Sequence, residues 1–314
     1  MLRKIRDTLR PNPFDRLVKK AASENQNRFL VVWNRGLGDI PLGLYALVYR
    51  IRSFIPNASI TFLTRPDLTS AFEMLENVHI LSCPQWKRGK PIDVAESLAN
   101  HQLTPDVFDV ILEKPDPTKW FRWQLGTLTP KLQWQDKWDA LSEKYDLKNG
   151  ETYIGVHVDT ETGGYYGYEK NWPLSHWQEL FKRIHENRQG RVILFGLNKD
   201  PAFLMDNIID LRGDTSVFDM LSVIKNYCQY LVVPDSGVLS IAYYVASDFP
   251  VRVVSLWADP RQGVLRQKVA SPNKQFQHIP LIGENDCVAN ISSESAYRAL
   301  FNSDGKEKTS TISS

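Results

Sequence analysis

The segment RFLVVWNRGLGD, residues 28–39, begins a pattern that recurs along this chain of 314 residues. Its apolar run, residues 29–33, is typical of a parallel strand that is buried on both faces. A glycine loop follows, and residues 41–53 then place apolar side chains at helical spacing. Since this strand–loop–helix pattern returns several times, the sequence predicts an α/β fold with doubly wound parallel sheets.

The other elements are predicted from the same two periodicities. Strands are expected at residues 28–33, 59–64, 78–81, 107–112, 153–158, 191–195, 208–211, 230–233 and 251–256, and helices at about 41–53, 67–76, from 173 onward, 217–227, 235–246 and 292–301. An irregular, tryptophan-rich stretch at residues 113–147 separates two series of elements. Because the chain exceeds the usual size of a single core, we expect two domains.

Four segments follow from this division. They are a basic amphipathic leader at residues 1–20, an N-terminal Rossmann-like domain at 21–148, a C-terminal Rossmann-like domain at 149–302, and a tail of disordered composition at 303–314. The leader has two interpretations. It is either a solvated helix packed on the domain, which we favour because its apolar faces are short, or a basic segment that lies on anionic lipid.

Composition and charge argue against several classes of function. The formal net charge is only +2, so we expect no nucleic acid partner. The cysteines, Cys83, Cys228 and Cys287, form no C-x-x-C pair, which argues against a zinc site and fits a reducing compartment. No apolar run is long enough for a bilayer span, and the basic N-terminus lacks the apolar core of a secretory signal. A cytoplasmic location is therefore expected.

Three loops that leave strand ends are candidate sites, because ligands of such sheets bind beyond the carboxyl ends of the strands. The first is residues 34–39, in which Gly36 and Gly38 permit a close approach of other groups to the backbone. Asp39 would begin the next helix, either as its N-cap or as a general base, and the spacing alone favours the cap. Pro41 stands where a dinucleotide-binding fingerprint has its third glycine, so that motif is absent.

The other two loops lie in the second half of the chain. Lys170 follows a glycine-rich stretch and precedes a helix, where it is suited to reach a phosphate, although most lysines are ordinary surface residues. In the last loop a buried strand runs through Asp235, Ser236 and Gly237 into a helix, whose free first amides would suit a diphosphate. Asp235 and Ser236 could equally be capping residues.

Several motifs together resemble glycosyltransferase family 9, the heptosyltransferases of lipopolysaccharide synthesis, in order and over almost the whole chain. They are Gly-x-Gly-Asp39, Ile60-Thr-Phe-Leu-Thr-Arg65-Pro66, Ile154-Gly-Val-His157, Lys170-x-Trp172-Pro173 with His176-Trp177, Val192-Ile-Leu-Phe195-Gly196, Asp235-Ser-Gly237, and the late Cys287 with Ile291. The resemblance implies a GT-B fold, in which two facing Rossmann-like domains hold the acceptor sugar and the nucleotide sugar on either side of a cleft. It also implies an inverting, metal-independent transfer, and the absence of an Asp-x-Asp motif agrees with this.

The resemblance also assigns roles to particular residues. Asp39 matches the catalytic base, which takes the proton from the attacking acceptor hydroxyl. Lys170 matches the lysine that neutralises the donor diphosphate. Asp235, Ser236 and Gly237 would hold the same leaving group, so that its developing charge meets preorganised donors.

Two further points concern the donor. Phe195 and Gly196 would lie near its nucleoside. Where the family motif has a histidine, this chain has Ser240, which can donate a hydrogen bond but carries no charge. The diphosphate would then be held less tightly, the donor would be a different sugar nucleotide, or the activity would have lapsed.

The sequence therefore predicts an inverting glycosyltransferase that moves heptose from ADP-heptose, by default, onto a lipopolysaccharide-type or other glycan acceptor, with no cofactor and no metal. A transferase of another sugar is one alternative. A non-catalytic protein that binds a sugar nucleotide or glycan is the rival from a different class, and an NAD-dependent oxidoreductase is disfavoured by the missing fingerprint. Peripheral contact with an anionic membrane, at its inner face, would run through residues 1–20.

Overall fold

The structure is a computed structural model that describes residues 12–160, 163–164 and 167–302. The described chain divides into two compact units. The first contains the described residues up to Trp134 together with Ser240–Ser247 and Gly263–Pro272, and the second contains Gln135–Leu239, Asp248–Gln262 and the described residues from Asn273 onward. Residues 135–148, which the sequence assigns to the N-terminal domain, thus lie in the second unit.

The secondary structure alternates between strands and helices. The strands are β1 (Arg28–Trp33), β2 (Ser59–Thr64), β3 (His79–Ser82), β4 (Val110–Leu112), β5 (Tyr153–His157), β6 (Arg191–Phe195), β7 (Ile208–Asp210), β8 (Cys228–Pro234), β9 (Val251–Trp257) and β10 (Phe276–Ile282). The α-helices are α1 (Pro13–Ser23), α2 (Tyr45–Phe54), α3 (Thr69–Glu73), α4 (Val94–Ala99), α5 (Pro117–Trp120), α6 (Leu174–Glu186), α7 (Val217–Tyr227), α8 (Gly237–Tyr244), α9 (Gly263–Gln267) and α10 (Ser293–Phe301).

The first unit is built on a four-stranded parallel sheet in the order β3-β2-β1-β4. In β1 and β2 only the first residue is exposed, which is the burial expected of strands covered on both faces. A later part of the chain returns to this unit, where Leu132 and Val245 form an isolated parallel bridge.

The second unit is built on a six-stranded parallel sheet in the order β10-β9-β8-β5-β6-β7. Every residue of β5 is buried, and α6 packs its apolar stripe, including Trp177 and Phe181, into the same core. Helix α7 begins with a capping box, in which the Ser216 hydroxyl accepts from the Asp219 amide and the Asp219 carboxylate accepts from the Ser216 amide. The predicted α/β class with parallel sheets is confirmed in both units.

The structure corrects the predicted elements at two places. Residues 107–112 were expected to form one strand, but Pro105–Val107 is a 3₁₀ turn and β4 begins only at Val110, because Pro105 fixes a helical φ. The helix expected from residue 41 instead opens with a π-helical turn, Ile40–Leu44, before α2.

Several elements escaped the sequence patterns. They are α4, α5, α9, β10 and the ten-residue 3₁₀ helix Asp136–Tyr145, which like α5 lies in the tryptophan-rich stretch that was expected to be irregular. Pro280 interrupts the apolar pattern of β10, and the strand tolerates it because β10 is at the edge of its sheet.

The described part of the predicted leader is packed on the first unit. Phe14 and Val18 of α1 are buried, and the Phe14 ring stacks on Trp120 at 5.1 Å between centroids. Asp15 accepts a hydrogen bond from Arg50 Nε at 2.7 Å. The apolar face of α1 therefore contacts protein, as the favoured interpretation expects. Residues 1–11 of the predicted leader, and the predicted tail at 303–314, lie outside the described residues. Within the described ranges, no helix is long and apolar enough to cross a membrane.

Candidate active site

The strand order of the second sheet reverses between β5 and β8, which are neighbours in the sheet. From β5 the strand order runs outward to β6 and β7, and from β8 it runs the other way to β9 and β10. In α/β sheets, ligands bind beyond the carboxyl ends of the strands at such a switch point. The two loops predicted as the donor side leave these two strands, since one follows β5 and the other follows β8.

The structure joins the predicted residues Lys170 and Asp235 at this switch point. Lys170 Nζ donates to Asp235 Oδ2 at 2.6 Å, and the two side chains are only 11% and 9% exposed. Lys170 is therefore not an ordinary surface lysine, because most lysines keep their ammonium group in water. The pair places a buried cation beside the start of α8.

Burial and the neighbouring charges together determine the pKa of Asp235. Removal from water raises the pKa of the Asp235 carboxyl above its ordinary value, the Lys170 ammonium opposes that shift, and the Asp259 carboxylate adds to it. Asp259 follows β9 and accepts from Arg261 Nε at 2.7 Å, which holds the pKa of the Asp259 carboxyl below its usual range. Two ion pairs, Lys170 with Asp235 and Arg261 with Asp259, thus lie in the loops that follow the strands of this sheet.

Local hydrogen bonds fix the loop that carries Lys170. The Asn171 side chain accepts from the Thr160 amide at 2.7 Å and donates to the Thr160 carbonyl at 3.2 Å, so it closes the loop. The Lys170 amide donates to the Gly163 carbonyl at 2.9 Å. A Cβ atom at Gly163 would lie 2.4 Å from Asn171 Nδ2, which explains why a glycine stands there.

The loop after β8 leads directly into α8. The Asp235 amide donates to the Leu256 carbonyl of β9, and the Ser236 hydroxyl accepts from the Leu239 amide at 3.2 Å. Ser236 therefore acts as a cap, one of the two roles considered for it. Gly237 is the first residue of α8, where amides have no partner within the helix. Ser240 is buried in the first turn of α8, and the division between the two units falls just before it.

The predicted nucleoside residues lie at the carboxyl end of β6. Phe195 is fully buried, and Gly196 has a φ of +145°, a conformation that favours glycine. A Cβ atom at Gly196 would lie 3.7 Å from Arg212 Cγ and 3.9 Å from His157 Cδ2. Arg212 is itself buried and donates to Asp210 Oδ2 at 2.7 Å, so it is a structural cation of this edge.

Burial also perturbs a histidine at the end of β5. It lowers the pKa of His157 to about 4, so the imidazole is neutral at pH 7. The Nδ1 atom of His157 is buried and has no hydrogen-bond partner among the described residues. The motif Ile154-Gly-Val-His157 singled out this histidine as part of a family pattern. The spacing of residues could not predict that its imidazole is buried and has a lowered pKa.

The first unit carries the predicted base. The strand order of its sheet reverses between β1 and β4. The loop with Gly36, Gly38 and Asp39 follows β1 and therefore lies at this switch point. Asp39 stands at the N-cap position of the π-helical turn, but its side chain makes no capping hydrogen bond. The capping role that the spacing favoured is therefore not the one that this carboxylate performs.

The surroundings of Asp39 include a cation that the sequence patterns did not single out. A Cβ atom at Gly36 would lie 3.2 Å from Asp39 Oδ2 and 3.7 Å from Arg88 Nη2. A side chain at position 36 would thus crowd the Asp39 carboxylate, and the carboxylate and the guanidinium border the same space. No local signal distinguishes Arg88 from its basic neighbours, because only the folded loop brings it beside β1.

A cavity of about 190 Å³ lies in the first unit, beyond the end of β1. Its lining includes Asn34, Trp86, Lys87, Lys90 and Glu96. The side-chain Nδ2 of Asn34 donates to the Lys87 carbonyl at 2.9 Å, which ties the strand end to the loop that lines the cavity. An aromatic ring with amide, ammonium and carboxylate groups is a lining that suits a polar ligand with an apolar face.

The charged residues that the structure describes do not assemble a metal site. Within the part of the chain that the structure describes, no group of three or more His, Cys, Asp or Glu is placed to hold a metal ion. The geometry provides a buried ammonium at a helix start in the second unit and a carboxylate beside a guanidinium in the first. The first arrangement can neutralise a phosphate group, and the second can accept a proton.

Comparisons with known proteins are in line with this geometry. The family model described as glycosyltransferase family 9 (heptosyltransferase) matches residues 101–291, more than half of the chain. No curated protein sequence matches the chain.

Two of the similar solved structures cover most of this chain. The ADP-heptose LPS heptosyltransferase II of E. coli has a TM-score of 0.57 and 17% sequence identity, covering 87% of this chain and 97% of its own. The glycosyl transferase family 9 protein of Veillonella parvula DSM 2008 has a TM-score of 0.57 and 14% identity, covering 87% of this chain and 96% of its own. At these identities the similarity concerns the fold.

Proposed function

The chain belongs to glycosyltransferase family 9 and has the GT-B fold, and from that premise we propose that it transfers heptose from ADP-heptose to a lipopolysaccharide-type or other glycan acceptor with inversion. The family, the fold class and the glycosyltransferase class expected from the sequence are thereby confirmed. The donor, the acceptor and the stereochemistry are our proposal. The observation that carries it is the family match over residues 101–291, which include both donor-side loops.

In the proposed reaction an acceptor hydroxyl oxygen attacks the anomeric carbon of the donor sugar. A new C–O bond forms as the bond from that carbon to the diphosphate oxygen breaks, and the nucleoside diphosphate leaves with the electron pair. The hydroxyl proton passes to a general base. Because charge develops on the leaving group, preorganised donors around the diphosphate supply the main electrostatic stabilisation.

Lys170 and the start of α8 are the proposed diphosphate site. Lys170 is held at the switch point by Asp235, with 2.6 Å between Nζ and Oδ2, and its ammonium group is the proposed cation for a donor phosphate. The amides at Ser236 and Gly237 add the positive end of a helix. Phe195 and Gly196 are the proposed neighbours of the nucleoside.

Ser240 bears on the choice of donor. It supplies a hydroxyl where the family pattern has a histidine, and it is buried in the first turn of α8. A neutral group at this position leaves Lys170 as the main charge of the proposed site. The E. coli relative is an ADP-heptose enzyme by name, which makes ADP-heptose the first donor to test.

Asp39 is the proposed base. It lies outside the matched residues 101–291, so its role rests on the Gly-x-Gly-Asp39 motif and on its surroundings. Gly36 leaves room beside its carboxylate, and that carboxylate is not used as a helix cap. The cavity lined by Trp86 and Lys90 is the proposed contact for an acceptor sugar, because it lies beyond the same strand end. No metal takes part in the proposed transfer.

The place of the reaction is also a proposal. A lipid-linked acceptor would bring the protein to the cytoplasmic face of a membrane. Contact with anionic lipid would then use the basic residues of the leader, of which Arg16, Lys19 and Lys20 are exposed on α1. Liposome partition of a variant that lacks residues 1–11 and carries Arg16→Gln, Lys19→Gln and Lys20→Gln tests this contact, and a partition equal to that of wild type would contradict it.

The experiment that tests the function is the release of nucleoside diphosphate from ADP-, GDP-, UDP- and TDP-sugars, with and without a glycan acceptor. We expect acceptor-dependent release from ADP-heptose, and loss of transfer in Asp39→Ala with donor binding by calorimetry unchanged. Near-normal turnover of Asp39→Ala would refute the base. Measurable donor binding without turnover of any donor would favour the non-catalytic alternative.

A further inference from the structure

The turn that follows Asp39 is π-helical. In Ile40–Leu44 the Tyr45 amide donates to the Ile40 carbonyl, five residues back, instead of the four of an α-helix. Such turns are rare, and they are frequent at functional sites. An interrupted helical ladder needs other groups to hold its geometry.

Two glutamine side chains hold this turn at one atom. Gln124 Nε2 donates to the Leu42 carbonyl at 2.8 Å, and Gln267 Nε2 donates to the same oxygen at 2.9 Å. Both glutamines are almost fully buried. They lie 82 and 225 residues from Leu42 in sequence, and all three belong to the first unit.

Burying these two glutamines in the core carries an unfavourable free energy. The Oε1 atoms of Gln124 and Gln267 are buried and have no hydrogen-bond partner among the described residues. Buried polar atoms are nearly always paired in proteins, and two aliphatic side chains would fill this space without the penalty. Packing alone therefore does not account for glutamine at these two positions, whereas the hydrogen bonds to Leu42 do.

The same turn is fixed by close packing. A Cβ atom at Gly43 would lie 2.2 Å from Pro117 Cβ, so the backbone of the turn rests directly on α5. Gln267 is in turn anchored through its own carbonyl, which accepts from the Gly126 amide at 2.8 Å. The turn that follows Asp39 is thus held from three places in the first unit, by Gln124, Gln267 and Pro117.

We propose that Gln124 and Gln267 are positioning residues, which fix the π-helical turn and through it the Asp39 carboxylate. This rests on the proposed role of Asp39 as the base. The two amides do not touch substrate. They set the direction in which the carboxylate meets the acceptor hydroxyl, and a misplacement of about 1 Å can lower a rate roughly a hundredfold.

The test is the double variant Gln124→Met/Gln267→Met, which keeps the side-chain length and removes both donors. We expect kcat to fall about 10- to 100-fold, while the dissociation constant of the donor sugar nucleotide stays within about twofold. If the double variant does not fold, each single variant is measured, and each should lower kcat by a smaller factor at an unchanged donor dissociation constant.

Two controls separate positioning from stability. Gln133→Met makes the same change at an exposed glutamine of the same unit and should leave kcat unchanged. Val18 is fully buried, so Val18→Ala should destabilise the same unit from α1. Even if its melting temperature falls as far as that of the double variant, its kcat should stay near the wild-type value.

The outcomes are distinguishable. A kcat within threefold of wild type in the folded double variant, or a loss equal to that of Val18→Ala, overturns the positioning role. Asp39→Asn is measured beside them. If Asp39→Asn is inactive and the glutamine variants are fully active, only the positioning inference fails. If Asp39→Asn keeps normal turnover, the proposed base itself fails.

Discussion

Replacing Lys170 by Met removes one charge of a buried ion pair and keeps most of the apolar length of the side chain. Lys170 Nζ lies 2.6 Å from Asp235 Oδ2, and both side chains are about nine-tenths buried. Removing one partner of such a pair typically costs about 3–5 kcal/mol, because the other charge remains buried. Asp235 can relieve part of this by taking a proton, so we expect a loss at the lower end, about 3 kcal/mol at pH 7.

The loss should depend on pH. Burial already raises the native pKa of Asp235, and without the Lys170 ammonium that pKa rises further. A carboxyl whose native pKa is raised binds its proton more tightly in the folded state than in the unfolded one. Its contribution to stability is therefore complete below the unfolded pKa and is lost as pH rises through the native pKa. The deficit of Lys170→Met should be small at acidic pH and grow towards neutral pH.

The assay is urea unfolding of wild type, Lys170→Met, Asp235→Asn and the double variant between pH 5 and pH 8.5. Lys199→Met is the matched control, because Lys199 Nζ also lies 2.6 Å from a carboxylate, that of Asp214, but both side chains are more than half exposed. An exposed pair should cost under about 1 kcal/mol. The reasoning is refuted if the two lysine variants lose equal stability, or if Asp235→Asn fails to restore Lys170→Met.

Two further predictions concern the same units. Gly43→Ala places a Cβ atom 2.2 Å from Pro117 Cβ, so overpacking should lower the unfolding free energy by about 1–3 kcal/mol, and an unchanged urea midpoint would contradict this close approach. Burial lowers the pKa of His157 to about 4, so the stability that the neutral imidazole contributes is present above about pH 6.5 and is lost as pH falls towards 4. Removing this group in His157→Gln should reduce the slope of unfolding free energy against pH in that window by up to about 1.4 kcal/mol per pH unit, and an unchanged slope would contradict the burial argument.

Local patterns were sufficient for the central strands and for the loops that follow them. The apolar runs of β1, β5 and β8 are signals of strands buried on both faces, and the structure has all three. Asp39, Lys170 and Asp235 could be singled out for the same reason, since each follows such a run. The pairing of Lys170 with Asp235 was not visible, because 65 residues separate them and only the order of the sheet makes β5 and β8 neighbours.

Other features left no local signal. Strand β10 was missed because Pro280 and polar residues break its pattern, and it forms because the neighbouring β9 supplies a parallel partner along its whole length. Arg88 looks like any exposed basic residue until the loop after β3 brings it beside Gly36. The spacing of Asp39 favoured a helix cap, but the turn that follows is π-helical and its carboxylate is not a cap.

The sequence by itself determined the α/β class, the family and the loops in which the chemistry was to be sought, because these depend on side-chain periodicity and on short motifs. The tertiary structure alone decided how those loops are supported. Gln267 reaches Leu42 across 225 residues, and segments after residue 239 complete the first unit. Hydrogen bonds and packing of this kind are set by which distant segments become neighbours, and no local pattern of residues encodes that.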